Sequence, residues 1–109
     1  LPGESLLAVQ ALDNYVNVFW EKNGRLQTNM LRSTLTNIAE QVTGLSHMVR
    51  THRGWLVNIK RVNQVNGNAQ GLKLSVDLLR QQVRVSRGKM PAYRQLTAMH
   101  SATEKELAG

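Results

Sequence analysis

The sequence predicts a mostly β protein built from antiparallel strands, with a short central helix and a C-terminal helix. Several short segments alternate apolar and polar residues, which is typical of strands, and turns rich in asparagine and glycine separate them. Apolar residues recur at helical spacing in residues 33–42 and again after Pro91. A chain of 109 residues with 41% hydrophobic residues is expected to form one domain.

The first third of the chain predicts three strands. Residues 5–12 (SLLAVQAL) are expected to form a short strand, and Asp13–Asn14 is a turn signal. Residues 15–20 (YVNVFW) alternate, and Asn23–Gly24 behind them is the strongest two-residue hairpin signal available. Residues 15–31 are therefore expected to form a hairpin.

The central helix is predicted from residues 33–42 (STLTNIAEQV). Ser33 or Thr34 is expected to cap its start, and Thr43–Gly44 to end it. Residues 48–51 are too few for anything but a strand. The apolar stripe of the helix has the spacing i, i+3, i+4, i+7 and comprises Leu35, Ile38, Ala39 and Val42.

The second half of the chain is again expected to be β. Residues 66–71 (NGNAQG) predict a hairpin turn between a strand containing Val62 and Val65 and one that starts near Leu72. Two alternating strands are expected on the pattern Leu72, Leu74, Val76 and then Val83, Val85.

A terminal helix is expected at the end of the domain. Pro91 is tolerated only in a first helical turn, which places the helix start at Gly88 to Met90. Its core-facing side chains are expected to be Tyr93, Leu96 and Met99. Residues 1–109 are interpreted as a single domain with its core at about 5–98 and a frayed tail at 101–109, and the start at Leu1 without methionine predicts a segment of a longer protein.

Positive charge is concentrated in one part of the chain. The net charge is +7, and residues 41–103 hold ten Lys and Arg residues against a single acid, Asp77. Residues 49–62 (VRTHRGWLVNIKRV) carry five cationic or titratable side chains and no acid, so these charges are expected to face something negative. A segregated basic excess indicates a polyanion binder, although a merely solubilising surface is the alternative.

Several classes of function are disfavoured by composition and spacing. The chain has no cysteine and three histidines without zinc-ligand spacing, so no metal or other cofactor is expected. No spacing brings two acids together for acid–base chemistry, and we expect no enzyme. No stretch approaches the roughly 18 apolar residues of a membrane span, so no membrane contact is expected and the location is predicted to be cytoplasmic.

Cationic and polar side chains cluster at three breaks between predicted strands. These are residues 13–15 (DNY), 50–54 (RTHRG) and 85–89 (VSRGK). Binding residues usually lie on such loops because the scaffold fixes them while leaving them exposed. Arg53 and Arg87 can each offer a planar fork to guanine or to a phosphate, whereas Lys89 and Arg50 suit single phosphate contacts.

In the same places the chain resembles the LytTR domains, DNA-binding output domains of bacterial response regulators and related sensors. The resemblance runs in order from about Leu7 to Leu96. It is carried by LDNYVNV, LRSTLTNI, VRTHRGWLVN and VRVSRGK. It implies an elongated fold of about ten short strands in small antiparallel sheets with minor helices, whose loops enter two successive major grooves of the duplex.

The resemblance also implies which residues contact DNA. Base contacts map onto Arg53, Arg87 and Tyr15, with Asn14 beside the tyrosine. Backbone contacts map onto Arg50, Gly54 through its main chain, Ser86 and Lys89. Two departures from the family pattern are visible: Gly54 replaces a serine, and Tyr15 is longer and flatter than a small polar reader.

Two further roles are expected from the residues around these motifs. His52 is expected to hold its loop by a hydrogen bond, because strand residues flank it. Trp20 and Trp55 are expected in the core.

The sequence thus predicts sequence-specific binding of double-stranded DNA, at tandem or repeated sites, by the output domain of a bacterial signalling protein. The fragment is expected to be monomeric alone and dimeric on DNA or through an upstream domain. Two alternatives stay open. One is a basic β-module for RNA or single strands, against which stands the small number of five aromatics. The other is a module that binds an acidic protein.

Overall fold

A computed structural model describes residues 6–42, 47–68, 71–91 and 93–94. This part of the chain forms eight strands, one α-helix at Leu35–Gln41, two single 3₁₀ turns at Ile59–Arg61 and Arg87–Lys89, and the start of a C-terminal helix at Met90. The molecule measures 42 × 34 × 26 Å along its principal axes. The elements in chain order are β1 (Leu6–Leu12), β2 (Tyr15–Lys22), β3 (Arg25–Leu31), α1 (Leu35–Gln41), β4 (Met48–His52), β5 (Trp55–Asn58), β6 (Val62–Asn68), β7 (Gly71–Val76) and β8 (Val83–Val85).

The strands form two antiparallel sheets, which confirms the predicted mostly β class. The larger sheet has the order β3-β2-β1-β5-β4, and the smaller has the order β6-β7-β8. The predicted hairpin is confirmed, with pairs running from Val16–Leu31 to Lys22–Arg25. Asn23 and Gly24 have φ values of 54° and 76°, the left-handed pair that a type I′ turn requires.

The larger sheet is buried on both faces at its centre. Leu7 on β1 faces a cluster that the smaller sheet covers, and this cluster includes Trp55 and Leu74. Val9, two residues further along, belongs to a second cluster, and α1 covers it with Leu35. The bulge between Leu6 and Ala8 interrupts the regular pairing of β1 with β2. Strand β1 therefore has the apolar run LLAV without the alternation of a half-exposed strand.

Helix α1 has the predicted start and the predicted apolar stripe. Of the two candidate caps, Thr34 is the one used, because its Oγ1 accepts a hydrogen bond from the backbone N of Asn37 at 3.1 Å. Leu35 and Ile38 are buried, and Ala39 and Val42 pack against the same cluster. The predicted end at Thr43–Gly44 lies outside the described residues.

The smaller sheet confirms the predicted hairpin at residues 66–71 but corrects the extent of its turn. Strand β6 continues to Asn68 and pairs with Gly71, so Gly67 lies within the paired segment and not in the turn. Gly67 has a φ of 131°, and a Cβ there would overlap the Gly71 carbonyl oxygen and approach Leu72 Cα to 2.8 Å. The absence of a side chain at Gly67 permits this close approach between the two strands, whereas composition alone suggests a glycine in the turn.

The C-terminal prediction is confirmed where it is described. Backbone helical geometry begins at Met90, directly after the Arg87–Lys89 turn, and Met90 and Tyr93 are buried. The other predicted contacts of this helix, Leu96 and Met99, and the tail at 101–109 lie outside the described residues. Trp55 is buried as expected, whereas Trp20 is half-buried against the cluster beneath α1.

The guanidinium of Arg61 joins the two sheets, and its ion pairs differ from two expectations drawn from the sequence. Arg61 pairs with Glu21 on β2 and, at 3.0 Å, with Asp77 after β7. Its charge therefore faces acids of the same chain and not an external anion. The two acids also lie near each other, contrary to the expectation from spacing, because an antiparallel fold brings together carboxylates that are far apart in sequence.

Candidate nucleic-acid interface

The three predicted loops meet along one edge of the molecule. The backbone N of Ala11 donates to the Gly54 oxygen at 2.9 Å, which joins the β1–β2 turn to the β4–β5 turn. The backbone N of Ser86 donates to the Thr51 oxygen at 2.8 Å, which joins the end of β8 to β4. We call residues 13–15, 53–54 and 86–89 the three-turn edge.

His52 shapes the middle turn, as the sequence predicts. Its Nδ1 accepts a hydrogen bond from the backbone N of Gly54 at 3.1 Å, and Arg53 stands exposed at the tip between them. Burial lowers the pKa of His52, and the positive charges of Arg84 and Arg53 lower it further. Because only a neutral imidazole has an acceptor nitrogen, the lowered pKa favours the form that makes this bond.

Arg50 braces the same turn from behind. Its guanidinium donates to Thr36 Oγ1 on α1 at 3.2 Å and to the backbone oxygen of Arg53 at 3.1 Å. A guanidinium has five N–H donors, so further donors remain for a phosphate. Arg50 thus links α1 to the tip of the turn.

The backbone of Gly54 is occupied within the turn. Its N–H bonds to His52, and its carbonyl oxygen accepts from Ala11. A phosphate contact through this N–H, which the family resemblance implies, would have to share the hydrogen with His52.

The third turn presents Arg87 and Lys89 on an ordered 3₁₀ turn. The backbone N of Lys89 donates to the backbone oxygen of Ser86 at 2.9 Å. Met90, the residue directly after the turn, is buried and anchors the end of the turn to the core. Arg87, Gly88 and Lys89 are exposed, and Ser86 is partly buried. The turn therefore holds two cations outward from a fixed backbone.

The first turn places an aromatic ring in solvent. Leu12 and Tyr15 close the β1–β2 turn as a pair, and Asp13 has a left-handed φ of 50°. Tyr15 is 43% exposed, so its ring is not packed into the core at the strand end. Asn14 is exposed beside it.

A basic cleft beside the third turn is a feature that the sequence did not predict. It has a volume of about 630 Å³, and four of its lining residues are titratable bases. Two of these were given no role from the sequence: Lys73 lies outside the recognised motifs, and Arg84 lies within VRVSRGK but was not assigned a contact. The strand alternation places both on an outer face, but only the strand register brings them together. The four basic side chains are those of His52, Lys73, Arg84 and Arg87.

The described part of the chain shows neither a metal-ligand cluster nor a membrane-spanning helix. There, no three histidine, cysteine or carboxylate side chains gather as metal ligands would. Of the helices in that same part, none has the length and apolar character needed to cross a membrane.

The comparisons with known proteins identify the class of domain. A family model described as the LytTr DNA-binding domain matches residues 1–98 of this chain. The matched family is a class of DNA-binding domain and not a catalytic one. The chain belongs to the LytTr DNA-binding domain family.

A solved structure shows the same fold. It is the LytTr DNA-binding domain of a protein from Bacillus cereus described as a methyl-accepting/DNA response regulator, with a TM-score of 0.73. The two chains are 21% identical, and the match covers 89% of this chain and 84% of the other. No curated protein sequence gives a significant match.

Proposed function

We propose that this domain binds a specific sequence in double-stranded DNA by inserting the three-turn edge into successive major grooves. It would act as the transcription-regulating output domain of a bacterial signalling protein. One observation carries the proposal: the hydrogen bonds from Ala11 to Gly54 and from Ser86 to Thr51 hold three polar or cationic turns side by side. Fixed spacing between readers is what recognition of a regular helix requires.

In this proposal the bases are read by side chains at the tips of the turns. Arg53 and Arg87 each present a guanidinium whose fork matches the O6 and N7 acceptors of guanine. Tyr15, with Asn14 beside it, supplies the third contact. Its exposed ring offers an apolar surface to a base edge, such as a thymine methyl group, and its hydroxyl offers a hydrogen bond.

The backbone contacts are assigned to groups around these tips. Arg50, Ser86 and Lys89 lie behind or beside the reading side chains and would bind phosphates, with Gly54 as a further main-chain contact. Phosphate contacts fix the register of the protein on the duplex without reading its sequence. The isolated domain would be a monomer, and two copies would occupy adjacent repeats when upstream segments bring them together.

The distribution of aromatic side chains favours duplex DNA over single strands. Single-strand binders stack bases on exposed aromatic rings. Phe19 and Trp55 instead stack on each other in the core, with ring centroids 6.2 Å apart, and Tyr93 is also buried. Of the five aromatics, only Tyr15 is substantially exposed, which is too few for a stacking surface.

Selection from a random pool of duplexes tests the proposal. We expect one enriched motif, bound at least about a thousandfold more tightly than a scrambled duplex, with log K falling against log salt by about 0.9 per neutralised phosphate. The single strands of the winner, as DNA and as RNA, serve as controls. Absence of an enriched motif, or tighter binding of either single strand, would contradict the proposal.

A further inference from the structure

The basic cleft contains two cations that face each other across a strand pair. Lys73 on β7 and Arg84 on β8 are directly opposite in the antiparallel register. Their neighbours Leu72, Leu74, Val83 and Val85 point the other way, into the core. The two cationic side chains therefore share the outer face of the smaller sheet, where both line the cleft.

This arrangement is unfavourable in the free protein. Like charges directly opposite in a β-sheet destabilise it, whereas an opposite-charge pair would stabilise it. The cleft also receives Arg87, and the described residues that line it include no aspartate or glutamate to neutralise these cations. The lowered pKa of His52, to which Arg84 contributes, agrees with a positive potential at this place. An anion is the missing partner that would relieve the repulsion.

The lining of the cleft suits the sugar–phosphate backbone of DNA better than a small phosphorylated molecule. Gly67 and Gly71 line the cleft with backbone alone. Sites for small ligands are usually lined by apolar and aromatic groups. In the part of the cleft that the structure describes, the large apolar residues are Leu72 and Val85, and both are buried beneath the surface. None of the described residues that line the cleft is a phenylalanine, tyrosine or tryptophan.

The cleft is also continuous with the three-turn edge. Ser86 and Arg87 belong to both, and His52 holds the adjacent turn. A side chain that enters a major groove about 12 Å wide has a sugar–phosphate backbone on each side of it. One of these backbones would pass next to Arg87, toward Lys73 and Arg84.

We propose that Lys73 and Arg84 form a phosphate-binding site for the DNA backbone that flanks the groove read by Arg87. This inference rests on the proposed function and adds a contact surface outside the three turns. The site takes a phosphodiester oxyanion, adds affinity for every DNA sequence alike and adds no base preference.

The test compares two double variants of equal charge. Lys73→Ala/Arg84→Ala removes the proposed site. Lys22→Ala/Arg25→Ala removes the same two charges from another like-charge cross-strand pair, at the opposite end of β2 from Tyr15. Binding of the selected duplex and a scrambled duplex is measured by fluorescence anisotropy over a range of salt concentrations. Urea unfolding shows whether each variant is folded.

Loss of two phosphate contacts is expected to flatten the salt slope by about 1.8 units, which corresponds to roughly 30-fold weaker binding at 0.15 M salt. Both duplexes should be affected equally in Lys73→Ala/Arg84→Ala, with the slope of the Lys22/Arg25 variant changed by less than about 0.5 units. Equal slopes in the two variants would overturn the inference, since only net charge would then matter. A parent protein that does not distinguish the two duplexes would instead contradict the proposed function.

Titration of the free protein with inorganic phosphate and with ATP separates DNA from a free ligand. Amide chemical shifts of Lys73 and Arg84 should respond only at millimolar concentrations of either anion. Micromolar binding of either one, abolished in Lys73→Ala/Arg84→Ala while the DNA salt slope stays unchanged, would overturn the inference in favour of a small-molecule site.

Discussion

At the scale of single residues, His52 links the protonation state of a side chain to the shape of a reading turn. Its Nδ1 accepts the Gly54 N–H, and Arg53 lies between the two. Burial, then Arg84, then Arg53 lower its pKa below the ordinary value of 6.5. The turn that presents Arg53 is therefore built on a neutral imidazole.

This arrangement predicts a stability that depends on pH. Between the lowered pKa of His52 in the folded state and 6.5, the unfolded chain binds more protons than the folded one, so stability falls as pH decreases through that window. The contribution is complete above pH 6.5. Urea unfolding at pH 7.5 and 5.5 should show a smaller loss for His52→Gln than for the parent, because glutamine does not titrate. The same pH dependence in both proteins would contradict this role.

Residue roles that depend on local sequence were predictable, and those that depend on register were not. The hydrogen bond of His52 and the exposure of Arg53 and Arg87 agree with expectations from the motifs around them. The pairing of Lys73 with Arg84 was missed, because it needs the alignment of two strands about ten residues apart.

At the scale of elements, the β6–β7 hairpin depends on a glycine inside a strand. Gly67 has a φ of 131°, which side chains rarely adopt, and a Cβ would meet the backbone of Gly71 and Leu72. Gly24, in the β2–β3 turn, also has a positive φ, of 76°, but has open space around it. Comparing a substitution at Gly24 with one at Gly67 therefore distinguishes the cost of backbone strain alone from the cost of strain plus steric overlap.

We expect Gly67→Ala to lower the free energy of unfolding by about 2–4 kcal/mol, because strain and overlap act together. Gly24→Ala should cost about 1–2 kcal/mol, since it carries only the left-handed backbone penalty. Urea denaturation of both variants checks the difference. Similar losses in the two would show that the close approach at Gly67 does not limit stability.

Elements with strong local signals agreed with the sequence. The β2–β3 hairpin has its Asn23–Gly24 turn, and α1 has its Thr34 cap. The same reasoning placed a turn at residues 66–71, because a cluster of glycine and asparagine does not reveal whether a glycine serves a turn or a close approach between strands. That choice is made by the partner strand, which is a tertiary feature.

At the scale of the whole molecule, Arg61 connects the two sheets. It pairs with Glu21 in the larger sheet and with Asp77 next to the smaller one. Hydrogen bonds from Asn63 and then Arg61 lower the pKa of Asp77, and the bond to Glu21 is the main cause of the raised pKa of Arg61. These pairs help to keep the sheets, and with them the basic cleft, in one arrangement.

The lowered pKa of Asp77 predicts sensitivity to acid. A carboxylate with a folded-state pKa below its unfolded value of 3.8 contributes stability above that pH and loses it as pH falls through the folded pKa. Asp77→Asn should therefore be less stable than the parent at pH 6, and the difference should shrink below pH 3.8. Asp13→Asn, in the exposed β1–β2 turn, is the control. A constant difference across this range would contradict the role of the Asp77 charge.

The wider arrangement could not be derived from periodicity. The concentration of positive charge in residues 41–103 correctly indicated a polyanion binder, and the family match supports DNA as the partner. The use of Arg61 within the protein was not predictable, because its acidic partners Glu21 and Asp77 lie far from it in sequence. Periodicity specifies which face of a strand is buried, but it does not specify which acidic side chain lies opposite a given basic side chain.

The most direct test of the account is a base-by-base affinity profile of the selected duplex, measured for Arg53→Ala, Arg87→Ala and Lys89→Ala. Each arginine variant should lose about 1–3 kcal/mol and relax the preference at its own base position, because its guanidinium reads that base. Lys89→Ala should weaken all duplexes equally and flatten the salt slope by about one unit. If both arginine variants retain the parent's affinity and base preferences, the three-turn edge does not read DNA.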